Sequence, residues 1–305
     1  MVWSTTAVVE EFLAEAGEFL RAEPARNSVV LTVTENLRLK AACAQPVVAG
    51  PPEDGQHRLG RQPGPDRPLL GWWRPDTGPD VVAGAFLHTP EFPVFLTHLS
   101  RHAATELAAE LDTAGRIVLG VNVEDESAEA FASAWRHRTG ACAEIHRRMR
   151  LFRLGELVWP DPRPEGSARR AAQPDRDLLI EWLDAFVREV GDPPGQDHGA
   201  AADERLSYGG MTVWEVGGAP VSIAGITRTV AGMIRVGPVY TPPALRRRGY
   251  AGAATAAVSQ AALDAGARAV VLYTDLANST SNALYQRLGY RPIEDRVVMS
   301  FAPAT

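Results

Sequence analysis

The sequence predicts an α/β (α+β) protein that is built from two domains. Its 305 residues suffice for two domains of ordinary size, each with its own core. A proline-rich segment, residues 159–166, separates two halves in which the same order of helices and strands is predicted. A glycine follows a helix at Gly140 and again at Gly289, where a left-handed C-cap is favoured. We therefore expect domains over residues 1–160 and 161–305, through tandem duplication or through a chance likeness of ordinary αβ units.

The first half is predicted to open with an amphipathic helix, because apolar residues recur at helical spacing from Val8 to Leu20 before Pro24. A second helix is expected over 28–42. Residues 49–68 are dense in proline, glycine and charge and predict a surface loop. The elements expected after it are strands over 81–88 and 92–98, a helix over 103–111, a strand over 117–123, a helix over 128–138 and a strand over 142–154.

The second half is predicted to begin with a short strand near Ala168 and a helix over 175–190 that Asp175 caps. A short helix is expected before Tyr208. Three β-rich runs follow over 212–216, 221–227 and 233–240, and Gly217-Gly218 joins the first two as a hairpin. The closing elements are a helix over 250–265, a strand over 269–274, a helix over 281–288 and a strand over 291–301.

Charge and composition narrow the class of protein. Hydrophobic residues make up 45% of the chain and charged residues 22%, which is typical of a globular protein. The formal net charge of −6 disfavours nucleic acid as a partner. Cys43 and Cys142 have no metal-ligand spacing, so we expect two small buried side chains and no metal.

The N-terminus does not resemble a signal peptide, because Glu10, Glu11, Glu15 and Glu18 interrupt its apolar residues. No stretch reaches the roughly 20 apolar residues that a membrane span needs. We therefore expect a cytoplasmic protein with no membrane partner; the oligomeric state stays open.

The strongest chemical signal lies in residues 239–252, where a strand leads through a basic, glycine-containing turn into a helix. Backbone N–H groups at a helix start have no internal partners, and the helix dipole adds positive potential, so the main chain can hold a pyrophosphate. Gly249 and Gly252 allow a close approach, and the arginines can supply charge-assisted bonds. The alternative, a solvated arginine patch on a glycine-shaped loop, stays open at this point.

Two other nucleotide motifs are excluded on residue grounds. A Walker A loop needs a lysine beside serine or threonine, and Lys40 is the only lysine in the chain. A dinucleotide fingerprint needs G-x-G-x-x-G after a strand, which Gly249-Tyr250-Ala251-Gly252 does not provide.

The pattern Arg246-x-x-Gly249-x-Ala251 resembles the R/Q-x-x-G-x-G/A signature of the GCN5-related N-acetyltransferases (GNAT), and the likeness covers most of residues 169–301. The resemblance implies a mixed, mostly antiparallel central sheet flanked by helices, in each of two GNAT-like domains. It also implies acetyl-CoA as the acyl donor and no metal. The residues that would bind the coenzyme A moiety are Val239, Tyr240, Thr241, Arg246, Arg247, Arg248, Gly249, Tyr250, Ala251, Gly252, Asn278 and Ser281.

A second family motif is present over residues 278–290. By the resemblance, Asn278 would contact pantetheine and Tyr285 would reach the thioester sulfur. Ser281 and Tyr285 are four residues apart on a predicted helix and so share a face. A core aromatic with a satisfied hydroxyl is the alternative for Tyr285.

Amine acylation requires a base for the acceptor, a donor for the oxyanion and a proton for the departing thiolate. We expect Tyr285 to be the catalytic general acid and a backbone N–H within 239–241 to be the oxyanion donor. The strand before the signature lacks the glutamate that the family often uses. The candidates for the base, acting through water, are Glu215, Glu189, Glu204 and Asp275.

The first half has the family's order of elements without its site. No glycine precedes the helix at Ala103, and Arg136 stands where the second half has a tyrosine before the glycine. We expect a degenerate GNAT-like domain that does not bind coenzyme A in the usual way. His98 and His102 have the spacing of metal ligands on one helix face, but no further ligand completes a shell.

The sequence thus predicts an N-acetyltransferase that transfers acetyl from acetyl-CoA to a primary amine of a small molecule. Acylation of a protein N-terminus or lysine and a non-catalytic acyl-CoA sensor are the alternatives. An acidic loop could attract a cationic amine or could simply be solvated. Its carboxylates are Asp192, Asp197, Asp203 and Glu204.

Overall fold

A computed structural model of the chain describes residues 2–44, 67–76, 78, 80–192 and 197–302. These residues divide into two compact units. The N-terminal unit comprises Met1–Glu23, Val29–Arg147 and Arg296–Thr305, and the C-terminal unit comprises Pro24–Ser28 and Arg148–Asp295. The expected boundary between residues 160 and 161 stays a prediction, because the chain passes from one unit to the other within two long strands.

The N-terminal unit has helices against a mixed sheet. Its elements are β1 (Val2–Thr6), α1 (Val9–Ala22), α2 (Ser28–Ala44), β2 (Leu69–Arg74), β3 (Gly84–His88), β4 (Val94–Leu96), α3 (Arg101–Thr113), β5 (Gly120–Val123), α4 (Asp125–Thr139) and the first part of β6 (Cys142–Leu154). The last part of β12 (Tyr290–Ala302) pairs with β5. The strands β1 to β5 follow one another in the sheet, with β4 and β5 parallel and the other pairs antiparallel.

The predicted helices of this unit are present, and the strand expected over 142–154 is β6, whereas the other strands differ from the expectation. β1 and β2 were not predicted, because what makes them strands is their mutual pairing, from Val2↔Arg74 to Thr6↔Leu70, which local sequence does not reveal. The strand expected over 117–123 starts only at Gly120, and Ile117 and Leu119 are exposed. Most of the loop expected over 49–68 lies outside the described residues.

The C-terminal unit contains the remaining elements: β7 (Ser167–Arg170), α5 (Arg176–Val190), α6 (His198–Tyr208), β8 (Met211–Val216), β9 (Ala219–Ile226), β10 (Met233–Tyr240), α7 (Tyr250–Asp264), β11 (Ala269–Asp275) and α8 (Ser279–Arg287). Its sheet runs β6-β11-β10-β9-β8-β7, with β10 and β11 parallel and the other pairs antiparallel. The expected fold class, an α+β fold with a mixed, mostly antiparallel sheet, is confirmed. Gly217 and Gly218 form the β8–β9 hairpin with φ of 57° and 79°.

Helices cover both faces of the C-terminal sheet. Small α7 side chains such as Ala253, Ala254 and Val258 let that helix pack closely on Ile234 and Val236 of β10. On the opposite face, α5 and α6 pack on side chains that include Met211, Val213, Ile223 and Tyr240. The sheet is therefore sealed on both sides, and β10 lies between the two helical layers.

Two expectations about single side chains need correction. Asp175 precedes α5 as expected, but its carboxylate accepts from Ala172 N at 2.8 Å and from Arg169, and it does not cap the helix. Cys142 is exposed, which makes the prediction of a buried thiol wrong for this residue; the side chain of Cys43 is outside the described residues. None of the helices in the described ranges is long and apolar enough to cross a membrane.

Candidate acyl-CoA site

The parallel strands β10 and β11 separate after a short paired stretch. Their register runs from Met233↔Ala269 to Arg235↔Val271, although β10 continues to Tyr240. On its other edge β10 has a register shift between Val236 and Val239, and Pro238 between them carries no N–H. The five residue steps from Arg235 to Tyr240 leave roughly 16 Å of β10 unpaired on the β11 side, at about 3.3 Å per residue.

The turn after β10 presents unbonded amides at the start of α7. Gly249 is the N-cap residue with φ of 84°, and no side chain caps the helix. The first helical backbone bond runs from Ala253 N to Gly249 O at 3.0 Å. Throughout the described range 197–302, none of the six N–H groups from Arg247 to Gly252 donates to another backbone group. Residues 246–249 are exposed, so an anion can reach these amides.

The three arginines of the turn have different surroundings. Arg246 Nε donates to Thr241 O at 2.9 Å, and its Nη2 pairs with Glu189 of α5. These bonds tie the turn to the end of β10. Arg247 and Arg248 are exposed and form no ion pair with any described residue, so their charges are available to a ligand. That Arg246 to Arg248 bind phosphate stays a prediction.

Three features around the turn were not foreseen. Ser222 Oγ donates to Tyr240 O at 3.0 Å and lies 2.8 Å from Thr241 Oγ1, which fixes the end of β10. A Cβ placed on Gly249 would lie 3.5 Å from Pro164. A Cβ on Gly252 would lie 3.5 Å from Pro160. The proline-rich segment, whose composition indicated only a separator, thus packs against the start of α7.

Tyr285 on α8 is buried between aromatic rings. Its ring centroid lies 6.4 Å from that of Phe152 and 6.0 Å from that of Tyr290. Burial raises the pKa of Tyr285 to about 12, so the hydroxyl stays protonated near neutral pH. The Tyr290 hydroxyl oxygen lies 2.7 Å from Ser259 Oγ, whereas the Tyr285 hydroxyl has no hydrogen bond to any described residue. A protonated hydroxyl without a hydrogen-bond partner can donate its proton to a ligand.

The other residues of the second motif have local structural roles. Asn278 Oδ1 accepts from Ser281 N at 3.0 Å and so caps α8. The Asn278 carbonyl also accepts from Asn282 Nδ2 at 2.8 Å. Ser281 is half-buried. Contacts of Asn278 and Ser281 with pantetheine stay predictions.

Most of the candidate bases are engaged by protein groups. Glu215 pairs with Arg169 at 2.6 Å, Glu189 pairs with Arg246, and Asp275 Oδ1 accepts from Ala277 N at 2.8 Å. Glu204 forms no ion pair with a described residue. Of the acidic residues expected in a loop, Asp203 and Glu204 instead lie on α6, where Asp203 pairs with Arg176 at 2.6 Å, and Asp197 caps this helix. The identity of the base therefore stays open.

His98 and His102 of the N-terminal unit contact different carboxylates. His98 precedes α3, and its Nδ1 lies 2.5 Å from Glu124 Oε2. His102 lies on α3 and contacts Glu106 at 3.2 Å. The expectation that they share a helix face is wrong. Over the part of the chain that is described, no group of three metal-binding side chains is assembled.

Two parallel strands that separate and a helix start with free amides characterise the α+β fold of the C-terminal unit. Residues 176–290 match the model of the Acetyltransferase (GNAT) family. The chain therefore contains a GNAT-family domain at these residues, as the motifs predicted.

Solved structures extend the likeness of fold to the whole chain. A GNAT-family acetyltransferase from Colwellia psychrerythraea has a TM-score of 0.57 at 10% identity and covers 99% of each chain. A GCN5-related N-acetyltransferase from Sphaerobacter thermophilus has a TM-score of 0.59 at 18% identity and covers 97% of this chain and 94% of its own. At such identities the likeness shows the fold, consistent with an N-terminal GNAT-like region. No curated protein matches the sequence.

Proposed function

We propose that the C-terminal unit is an acyl-CoA-dependent N-acyltransferase that transfers acetyl from acetyl-CoA to a primary amine of a small molecule, by direct attack in a ternary complex. The observation that carries the proposal is the exposed α7 start, where the amides from Arg247 to Gly252 have no backbone partner. These amides would bind the diphosphate, aided by Arg247 and Arg248.

The remaining residues fit the steps that the reaction needs. The unpaired edge of β10 offers backbone groups for the amides of pantetheine, and an N–H within 239–241 would stabilise the oxyanion. Tyr285 would protonate the departing thiolate, because its hydroxyl carries a proton near neutral pH and has no hydrogen-bond partner among the described residues. Holding amine and thioester together would supply much of the remaining rate.

The binding step is tested by adding a negative charge to the turn. Ala251 lies in the first turn of α7, so glutamate there interacts favourably with the helix dipole but repels a diphosphate. We expect Ala251→Glu to weaken acetyl-CoA binding at least about 100-fold in isothermal titration, with an unchanged or higher melting temperature. Ala251→Gln is the matched control, because it adds the same bulk without charge and should bind more tightly than Ala251→Glu.

If Ala251→Glu and the wild type bind acetyl-CoA with equal affinity, the start of α7 does not bind the diphosphate. Turnover then separates the enzyme from a non-catalytic sensor, since a sensor binds acetyl-CoA and releases no free coenzyme with any amine. A peptide array beside a panel of small amines separates acylation of a protein N-terminus or lysine from acylation of a metabolite.

A further inference from the structure

Three half-buried arginines gather on the α5–α6 face of the C-terminal unit. They are Arg205 near the end of α6, Arg228 after β9 and Arg235 in β10. Arg228 Cζ lies 4.2 Å from the ring centroid of Tyr208, and its Nη2 lies 3.2 Å from Ser207 Oγ. Burial raises the pKa of the Tyr208 hydroxyl, and the charges of all three arginines oppose this rise. The Tyr208 hydroxyl donates to Ile226 O at 2.8 Å, and Arg235 N donates to Thr227 Oγ1 at 3.0 Å, so Tyr208, Arg228 and Arg235 all lie at the end of β9.

This cluster, Arg205, Arg228 and Arg235, has no carboxylate that neutralises it. Within the described ranges none of the three forms an ion pair, and the Nε atoms of Arg205 and Arg228 are buried without a hydrogen-bond partner. The charge of Glu204 reaches Tyr208, but Glu204 pairs with none of the arginines. Half-buried like charges without a counter-ion are unfavourable, so the arrangement is that of a site for an anion.

The cluster lies at the inner end of the open strand pair. Arg235 is the last β10 residue that pairs with β11. Its side chain projects from the face opposite to Ile234 and Val236, which pack with α7, because side chains alternate along a strand. The unpaired β10 edge runs from Arg235 to the turn that holds the diphosphate. A donor laid along this edge with its diphosphate at α7 points its thioester end toward Arg235.

We propose that Arg205, Arg228 and Arg235 bind an anionic group, a carboxylate or a phosphate, on the amine acceptor. This inference rests on the proposed acyltransferase function and adds the chemical class of its acceptor. Guanidinium groups suit such a ligand, because their planar donors match carboxylate and phosphate oxygens in pairs. The acceptor is then an amine whose second functional group is an acid.

The test uses the full chain, acetyl-CoA and primary amines in matched pairs. Amino acids are compared with their amides, and phosphoethanolamine is compared with ethanolamine, by the rate of free coenzyme A release. We expect kcat/KM to be about 30-fold or more higher for the acidic member of at least one pair. The pair that responds distinguishes a carboxylate from a phosphate.

Arg235→Gln should reduce that preference to nearly onefold, and Arg235→Lys should restore part of it. The control is Arg188→Gln, which removes an exposed arginine paired with Asp184 on α5 and should keep the full preference. Thermal melts with each amine, without acetyl-CoA, follow binding independently of turnover. Melts of the free variants check that they fold.

The two proposals fail in different ways. If acetyl-CoA binds but neutral amines react or stabilise the protein as well as acidic ones, or if Arg235→Gln keeps the preference, the arginine cluster is not the acceptor site. If acidic amines stabilise the protein through Arg235 but acetyl-CoA does not bind, the anion site stands and the acyltransferase function is wrong.

Discussion

The two units place a strand, a turn and a helix in the same order but treat the helix start differently. In the N-terminal unit, β4 leads to α3, whose first turn is capped by Ser100 Oγ accepting from Ala103 N at 3.1 Å. In the C-terminal unit, β10 leads to α7, where Gly249 offers no side chain. At the start of α3 a protein side chain accepts from a backbone N–H, whereas the first N–H groups of α7 stay available to a ligand.

The gap between the parallel strands shows the same contrast. In the N-terminal unit the buried Arg296 bridges β4 and β5, donating to Leu96 O, to Asn122 O at 2.8 Å and to Asn122 Oδ1 at 2.9 Å. Its guanidinium lies 4.1 Å from the centroid of the Phe95 ring. Between β10 and β11 the backbone pairing ends at Arg235↔Val271, although β10 continues to Tyr240. A protein group thus occupies in one unit the kind of gap that we assign to pantetheine in the other.

The largest effect is expected from removing that bridge. Arg296→Met would leave Leu96 O, Asn122 O and Asn122 Oδ1 without their buried donor, and we expect the free energy of unfolding to fall by about 3 to 5 kcal/mol. Urea titration measures the loss. Because Ser100 still caps α3, the variant should not gain a second acetyl-CoA site; a stoichiometry of two per chain would show that Arg296 alone closes the N-terminal unit.

Acid should destabilise the N-terminal unit through His88. Burial, with a smaller contribution from the charge of Arg116, lowers the pKa of His88 to about 4. A lowered histidine pKa favours folding above the unfolded value of about 6.5 and loses this contribution as the pH falls through 4. We expect a loss of about 3 kcal/mol over that window. His88→Gln should flatten this part of the urea-measured pH profile, and an unchanged slope would contradict the assignment.

A smaller effect is expected for Tyr285→Phe. It should lower kcat about 100-fold, which raises the activation free energy by roughly 2.7 kcal/mol, and should keep the affinity for acetyl-CoA. Tyr290→Phe is the matched control in the same aromatic cluster. It loses the bond to Ser259, which should cost about 1 kcal/mol of stability without lowering kcat. A fall in kcat for Tyr290→Phe but not for Tyr285→Phe would exchange the two roles.

The sequence predicted the C-terminal unit more closely than the N-terminal one, for physical reasons. The alternation of β10, the Gly217-Gly218 hairpin and the small residues of α7 are local patterns, and their elements were placed within a few residues. β1 and β2 depend on pairing across more than sixty positions, for which no local pattern exists.

The same limit applies to the site. The turn around Gly249 and the position of Tyr285 follow from motifs. The bond of Arg246 to Glu189, the contact of Pro164 with Gly249 and the arginine cluster join distant parts of the chain, and only the folded structure brings them together.

Hydrogen–deuterium exchange of the full chain, with and without acetyl-CoA, tests whether the start of α7 binds the diphosphate. We expect amides 247–252 and the open edge of β10 to become protected, while residues 97–104 at the start of α3 do not change. Protection at α3, or no protection at 247–252 under saturating acetyl-CoA, would contradict this expectation.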